Sequence, residues 1–285
     1  ARVGLPLALP TPGTHLLEMR IGGDALAADD TIRASLQVRD REAVLLLTDA
    51  NAGSGTGADF LEAALNPFAG ATGSIEPRRL GAEALTSAAL AEVNKVFACE
   101  LSALTDEAAK ALADHVFAGG NLVWFFSSAE HGAGNFAKFA RAVGGDGTAV
   151  EVGSWTETEK LSAAHRIIRG EFNSPFLKLF SGTRRQDLGL LEVYDRFSLA
   201  RGNVGEILLT YSDETPAMAR QTHGLGTILF INFSPHPQRS TLANQRFFPI
   251  WVQELVGALA SGPERALAHQ VGETATTSRS SRVCF

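Results

Sequence analysis

The chain has 285 residues, 45% of them hydrophobic and 20% charged, with a formal net charge of −6. Such a chain can bury a full core, and its composition excludes a disordered tract; no run approaches the ~18 apolar residues of a membrane span, so this piece does not cross a bilayer. The acidic balance and scattered arginines exclude a nucleic-acid footprint, and the two distant cysteines, Cys99 and Cys284, exclude a cysteine-based zinc site and a disulfide-built fold.

The first forty residues read as β structure. "THLLEMRI" alternates in part, "GGDALAADD" supplies turn residues, and "TIRASLQV" alternates with period two. This is the pattern of a hairpin, the last two strands of a partial β-sandwich over residues 1–40. The opening "ARVGLPLALPTPG" has neither an initiator Met nor the basic head and apolar centre of a signal peptide, and "VGETATTSRSSRVCF" ends without a closing element. Both ends read as cuts in a longer chain, with residues 262–285 a linker into a further, truncated β domain.

From about residue 41 to 261 the pattern becomes α/β. "AVLLL" is a continuous apolar strand of the type parallel sheets bury on both faces, and "ADFLEAALNPF" places Phe60, Leu61, Ala64 and Leu65 on one helical face. A strand near "SIEPRRL", a helix over "TSAALAEV" and the strand "KVFAC" follow. "LTDEAAKALADHVFAGG" is a punctuated helix: Thr105 caps it, Asp106 and Glu107 favour its positive end, and Gly119 and Gly120 close it. The strand "NLVWFF" comes next. Residues 153–205 read as an irregular insertion. "EILLTYS", "PAMARQT" and "TILFINF" return to strand, the last two forming an antiparallel hairpin at the sheet edge through the "HGLG" turn. The helix "QRFFPIWVQELVGALA" closes the domain with Phe248, Trp251, Leu255 and Leu259 on one stripe. Alternating strands and helices with short connections predict a mostly parallel sheet flanked by helices, flavodoxin-like in architecture.

Four places carry candidate chemistry. "FFSSAE" follows a strand and leads into a helix, as a serine-nucleophile elbow does, yet neither Ser127 nor Ser128 has the G-x-S-x-G glycines. A base for either serine is sought in His223 or His236, since His131 is too near in sequence. "TDANAGSGTGADF" offers a glycine-rich approach to a helix, with Asp49 and Asn51 as oxygen donors for a divalent metal, or an anion seat. It meets neither the G-x-G-x-x-G nor the P-loop pattern, and Phe60 stands where a calcium loop places its bidentate acid. Cys99 ends a strand with Glu100 beside it, and nothing basic adjoins to lower the thiol pKa. "NFSPHPQ" is a proline-fixed loop after a strand. No cofactor signature is present.

The order "DALAADDTIRASLQV", "VLLLTDA", "ELSALTDEAAKALADHVFAGGNLVWFF", "ILLTYSDETPAMARQTHGLGTILFINFSP" and "FFPIWVQELVGAL" resembles the class I glutamine amidotransferase-like domain of BatA-like, aerotolerance-regulator type bacterial membrane proteins. The resemblance covers roughly residues 15 to 260. It implies a parent chain with membrane helices and von Willebrand A modules, this region lying on the periplasmic or extracytoplasmic side. It also implies protein partners in or at the membrane, including other modules of the same chain. True amidotransferases carry a nucleophilic cysteine after the strand matching "NLVWFF" and a late His-x-Glu pair. Here Ser127 and Ser128 occupy the elbow, and Gln238 follows His236 where glutamate is expected. The resemblance therefore implies a non-catalytic binding or scaffolding module, with a serine hydrolase and a metal- or anion-binding module as the alternatives.

Overall fold

The computed structural model describes residues 11–20, 31–38, 41–49, 53–68, 73–101, 103–127, 129–144, 152–158, 164–200 and 205–260. Contacts divide them into two compact units, one an N-terminal hairpin and the other running from Ala43 to the end of the last helix. In the first, β1 (Gly13–Arg20) pairs antiparallel with β2 (Thr31–Val38), in a register from Gly13 opposite Val38 to Arg20 opposite Thr31. Glu18 joins Arg33 across the strands at 2.7 Å.

The second unit is built on one nine-stranded sheet. In chain order its elements are β3 (Glu42–Thr48), α1 (Gly57–Leu65), β4 (Ile75–Gly81), α2 (Ser87–Ala91), β5 (Lys95–Cys99), α3 (Asp106–Phe117), β6 (Asn121–Phe125) and α4 (Ala129–Val143). Then come β7 (Val152–Glu157), β8 (His165–Gly170), α5 (Arg185–Gly189), β9 (Glu192–Val193), β10 (Asp195–Leu199), β11 (Glu206–Tyr211), β12 (Pro216–His223), β13 (Gly226–Ile231) and α6 (Phe248–Ala260). The strand order is β4-β3-β5-β6-β13-β12-β11-β8-β9, with β7 and β10 forming a separate two-stranded ribbon.

The expected flavodoxin-like, mostly parallel sheet is corrected by this topology. β3, β5, β6 and β13 run parallel, but β13–β12, β12–β11, β11–β8 and β8–β9 are antiparallel, so the sheet is mixed. The cause is the connections. β11 turns into β12 over four residues, with Glu214 at φ 69°, and β12 turns into β13 at Gly224, φ 58°. Such tight turns leave no room for a crossover helix. The strands "EILLTYS" and "TILFINF" are apolar because both their faces are covered, a signature that burial imposes whichever way the neighbouring strand runs. The β12–β13 hairpin also lies inside the sheet, since β13 pairs with β6 and β12 with β11. The stretch read as an irregular insertion holds β7 to β10, two of which extend the main sheet.

Alternation along the central strands assigns each face its helices. Val44, Leu46, Phe97, Val123, Phe125 and Ile231 pack with Leu61 of α1 and Trp251, Val252 and Leu255 of α6. Leu45, Leu47, Val96, Trp124, Ile228 and Phe230 face the other way, onto Leu112 and Val116 of α3 and Phe136 and Phe139 of α4. α3 begins as its sequence requires, the Thr105 Oγ1 accepting the Ala108 N–H at 3.1 Å. α1 carries a full capping box: Thr56 Oγ1 accepts from Asp59 N at 3.3 Å, and Asp59 Oδ2 accepts from Thr56 N at 2.8 Å. The edge strand β4 carries Pro77, Arg78 and Arg79, residues that discourage pairing with a further strand.

Candidate functional site: the crevice between β3 and β5

The chain leaves β3 toward β4 on one side and returns to β5 on the other, so the strand order reverses between β3 and β5. In open α/β sheets such a reversal opens a crevice at the carboxyl ends of the strands, because the two connecting helices lie on opposite faces. Three groups meet there: the start of α1, Glu100 directly after β5, and the loop after β13.

Glu100 has a backbone φ of 53°, which a glutamate adopts only at a cost of roughly 1–3 kcal/mol. This turn redirects the side chain from the plane of the sheet toward α1. Its Oε2 accepts the Gly57 N–H at 2.8 Å, and the Ala58 N–H adds a second bond. Two of the donors that a helix start leaves open are thus held by a carboxylate from 43 positions away. Gly57 is needed for the approach: a Cβ there would lie 3.0 Å from Glu100 Oε1 and 3.1 Å from His236 N. Burial pushes the Glu100 carboxyl above the ordinary glutamate range, while His236 in its charged form, the two amide donors and Arg239 pull it back.

His236 sits in the loop after β13, half-buried. Its Nδ1 accepts the Gln238 N–H at 3.1 Å, so the neutral ring carries its proton on Nε2. The loop is fastened from several sides. Ser240 Oγ donates to Ser234 O at 2.6 Å, Arg239 Nη1 reaches Glu157 Oε1 at 3.3 Å, and the same guanidinium pairs closely with Asp195. Thr241 N–H donates to Glu192 O at 2.9 Å, tying the loop to β9.

Thr48 is the last residue of β3 and follows Leu47, which is level with Ala98 of β5. The alternation that sends Val44 and Leu46 toward α1 sends Thr48 the same way. It is 0% exposed, and its Oγ1 has no hydrogen-bond partner.

The candidates named from sequence fall unevenly around this crevice. Glu100 and His236, noted in separate motifs, are brought together. Ser127 follows β6 at the same edge, 6% exposed. Ser128 lies outside the described residues, as does the side chain of His131. His223 is at the opposite edge: it pairs with Gly226, and β13 then runs five residues up to Ile231, beside Phe125, before the Ser127 end is reached. At ~3.3 Å per residue that separation excludes His223 as a base for Ser127. Its ring instead meets Phe117 edge-on at 5.3 Å. Cys99 is 1% exposed in the α1-side core, and burial followed by the Glu100 charge drives its thiol pKa well up, so it is no thiolate nucleophile. Asp49, directly after β3, is half-buried and engaged, and Asn51 lies outside the described residues. Among the described residues no three His, Cys, Asp or Glu side chains group as metal ligands, and no helix is long and apolar enough to cross a membrane. Sequence reasoning missed Thr48 and the Arg239–Asp195 pair, since neither belongs to a motif.

Fold and site together define an α/β domain with helices on both faces of a mixed sheet and a polar crevice at its strand-order reversal. No protein-family model matches the chain, and no curated protein matches it. Among solved structures it is similar to the cytoplasmic protein STM1381 of Salmonella typhimurium LT2, at 12% identity over 86% of this chain and 96% of that one, with a TM-score of 0.52. It is also similar to a ThuA-like protein of Bacteroides uniformis ATCC 8492, at 12% identity over 77% and 89% of the two chains, TM-score 0.51. The cytoplasmic protein STM3548 of Salmonella typhimurium gives 11% identity, 86% and 96% coverage and a TM-score of 0.52. At these identities the likeness concerns the fold alone, and it is to these folds rather than to a flavodoxin-like sheet.

Proposed function

We propose that the larger unit is a ligand-binding module that works without covalent catalysis, within a membrane-anchored bacterial cell-envelope protein. One observation carries the first part: the strained position at the carboxyl end of β5 holds Glu100, and its carboxylate occupies the amide donors at the start of α1. In a hydrolase a strained residue of this kind presents a nucleophile, and free amides beside it receive the oxyanion. Here the amides are engaged, and the cysteine next to the strained position is buried in the core. The cell-envelope setting and the protein partners at the membrane rest on the sequence resemblance, and the test is whether the parent gene encodes membrane helices and a von Willebrand A module.

The serine-hydrolase reading keeps one point in its favour, that Ser127 and His236 leave adjacent strands at the same edge. Against it, the His236 Nδ1 lone pair already accepts from Gln238, and Nε2 carries the proton, so neither nitrogen is poised to receive the serine proton. The deciding assay incubates the purified chain with ester, amide and glutamine substrates. No turnover is expected; turnover abolished by Ser127→Ala with Ser128→Ala overturns the proposal. The metal- or anion-site reading at Asp49 and Asn51 is tested by calorimetric titration with calcium, magnesium and phosphate, where saturable heat would establish it.

A further inference from the structure

We propose that the hollow between α4 and the β7–β10 ribbon binds a free medium-chain carboxylate, its alkyl tail lying along α4 and its head group on Arg141. The site is on the sheet face that α3 and α4 cover, away from α1 and the Glu100 crevice, so the inference goes beyond the binding-module reading and does not depend on it. The hollow has a volume of about 660 Å³, within the range of small-molecule sites. Its apolar lining comes from Phe136, Ala137 and Ala140 of α4, facing Val152 and Leu199 of the ribbon.

The sequence leaves this space open from both sides. α4 sends Phe136 and Phe139 inward, where Trp124 meets both rings, and turns short alanines toward the ribbon. On the ribbon, Gly153 has no side chain, and a Cβ there would lie 2.3 Å from Ser198 Oγ. The register of β7 and β10 shifts between Phe197 and Leu199, and an irregularity of this kind takes Ser198 out of the regular pairing. Leucine at Ala137 or Ala140 would fill the space and bury more apolar surface, yet the hollow is kept. From Ala133 to Arg141 the helical wall runs about 12 Å, the length of an extended chain of roughly ten carbons. Charge then sets the head group. Among the described lining residues Arg141 is the sole ion, and no carboxylate stands with it. Its contact with Asp106 is 3.9 Å long between side chains 73% and 78% exposed, a weak pairing, so the guanidinium can turn to a ligand. A carboxylate takes parallel N–H bonds from a guanidinium, an alcohol forgoes that charged pairing, and an alkylammonium is repelled.

The test titrates sodium decanoate, below its micelle concentration, into the full 285-residue chain, read by calorimetry and by the Val152 and Leu199 amides in NMR. Decanol, decyltrimethylammonium bromide, sodium acetate and phosphatidylglycerol vesicles are separate arms. Saturable decanoate binding is expected, with decanol weaker by about tenfold or more and no saturable response to acetate or the ammonium. Arg141→Gln should lower decanoate affinity to that of decanol and leave decanol binding unchanged. Ala137→Trp, at an exposed position, fills the hollow and should weaken decanoate binding by a similar factor or more while the melting temperature holds. Equal affinity for decanoate and decanol overturns the inference. So does silence with decanoate, a response to vesicles alone, or decanoate affinity unchanged in either variant. Failure of the non-covalent reading shows separately, as turnover of ester, amide or glutamine substrates.

Discussion

The Glu100 carboxylate accepts the Gly57 N–H at 2.8 Å, joining the end of β5 to the start of α1 across 43 positions of sequence. The contact needs both a left-handed glutamate and a helix start with no side chain. Each half looks unfavourable alone. Together they fix the crevice wall.

Gly57→Ala is expected to destabilise the domain, because the added Cβ meets Glu100 Oε1 at 3.0 Å and the His236 backbone N at 3.1 Å. Overpacking of this kind costs about 1–3 kcal/mol, more than the ~1 kcal/mol alanine adds as the better helix former. Adding Glu100→Ala relieves one of the two clashes, so urea denaturation should give a double-mutant coupling of about 1 kcal/mol. Strict additivity would show that the contact is not formed.

The raised Glu100 pKa sets the direction of a pH effect. A carboxyl whose folded pKa lies above its unfolded value lets the folded state hold the extra proton. The stability it contributes is therefore present below the unfolded value of about 4.3 and is lost as pH rises through the folded pKa. Melting curves of the wild type and Glu100→Gln from pH 4 to pH 8 should show the wild type losing ground as pH rises. An offset constant across that range refutes the assignment.

Arg239→Leu removes the guanidinium from Asp195, which is 7% exposed, and from Glu157. A dry pair broken this way costs 3–5 kcal/mol, but the Arg239 side chain is 30% exposed, so about 1–3 kcal/mol is expected. The larger consequence is local. Amide exchange in the loop from Ser234 to Ser240 should accelerate more than exchange in β5, and uniform acceleration would mean the pair serves global stability only.

Asn232→Ala tests how the β7–β10 ribbon is held to the sheet. Asn232 is 0% exposed, its Oδ1 accepting from Phe197 N at 3.0 Å and its Nδ2 donating to Phe197 O at 2.8 Å and Pro216 O at 3.0 Å. Losing these leaves buried peptide groups without partners, and a cost of about 2–4 kcal/mol should appear as a lower urea midpoint at unchanged slope. A change below ~0.5 kcal/mol, typical of surface positions, contradicts this role.

The sequence by itself determined what depends on near neighbours along the chain. Thr105 before an acidic first turn starts α3 where it was read, the stripe Phe248, Trp251, Leu255 and Leu259 is the buried face of α6, and "HGLG" is a hairpin turn. Caps, periodicity and tight turns are short-range effects, so composition over a few residues specifies them. Beyond that hairpin, only the tertiary structure decided which strands of the sheet neighbour one another: full burial makes a strand apolar in either direction, and β8 and β11 gave no local sign of an antiparallel half. The site followed the same division. His236 stood out as a loop histidine and Glu100 as the neighbour of Cys99, but their meeting depends on the order reversal between β3 and β5. The strain at Glu100 depends on a helix start 43 positions earlier, and the orphan hydroxyl of Thr48 on packing from both sides. Those are long-range relationships, which no window of sequence contains.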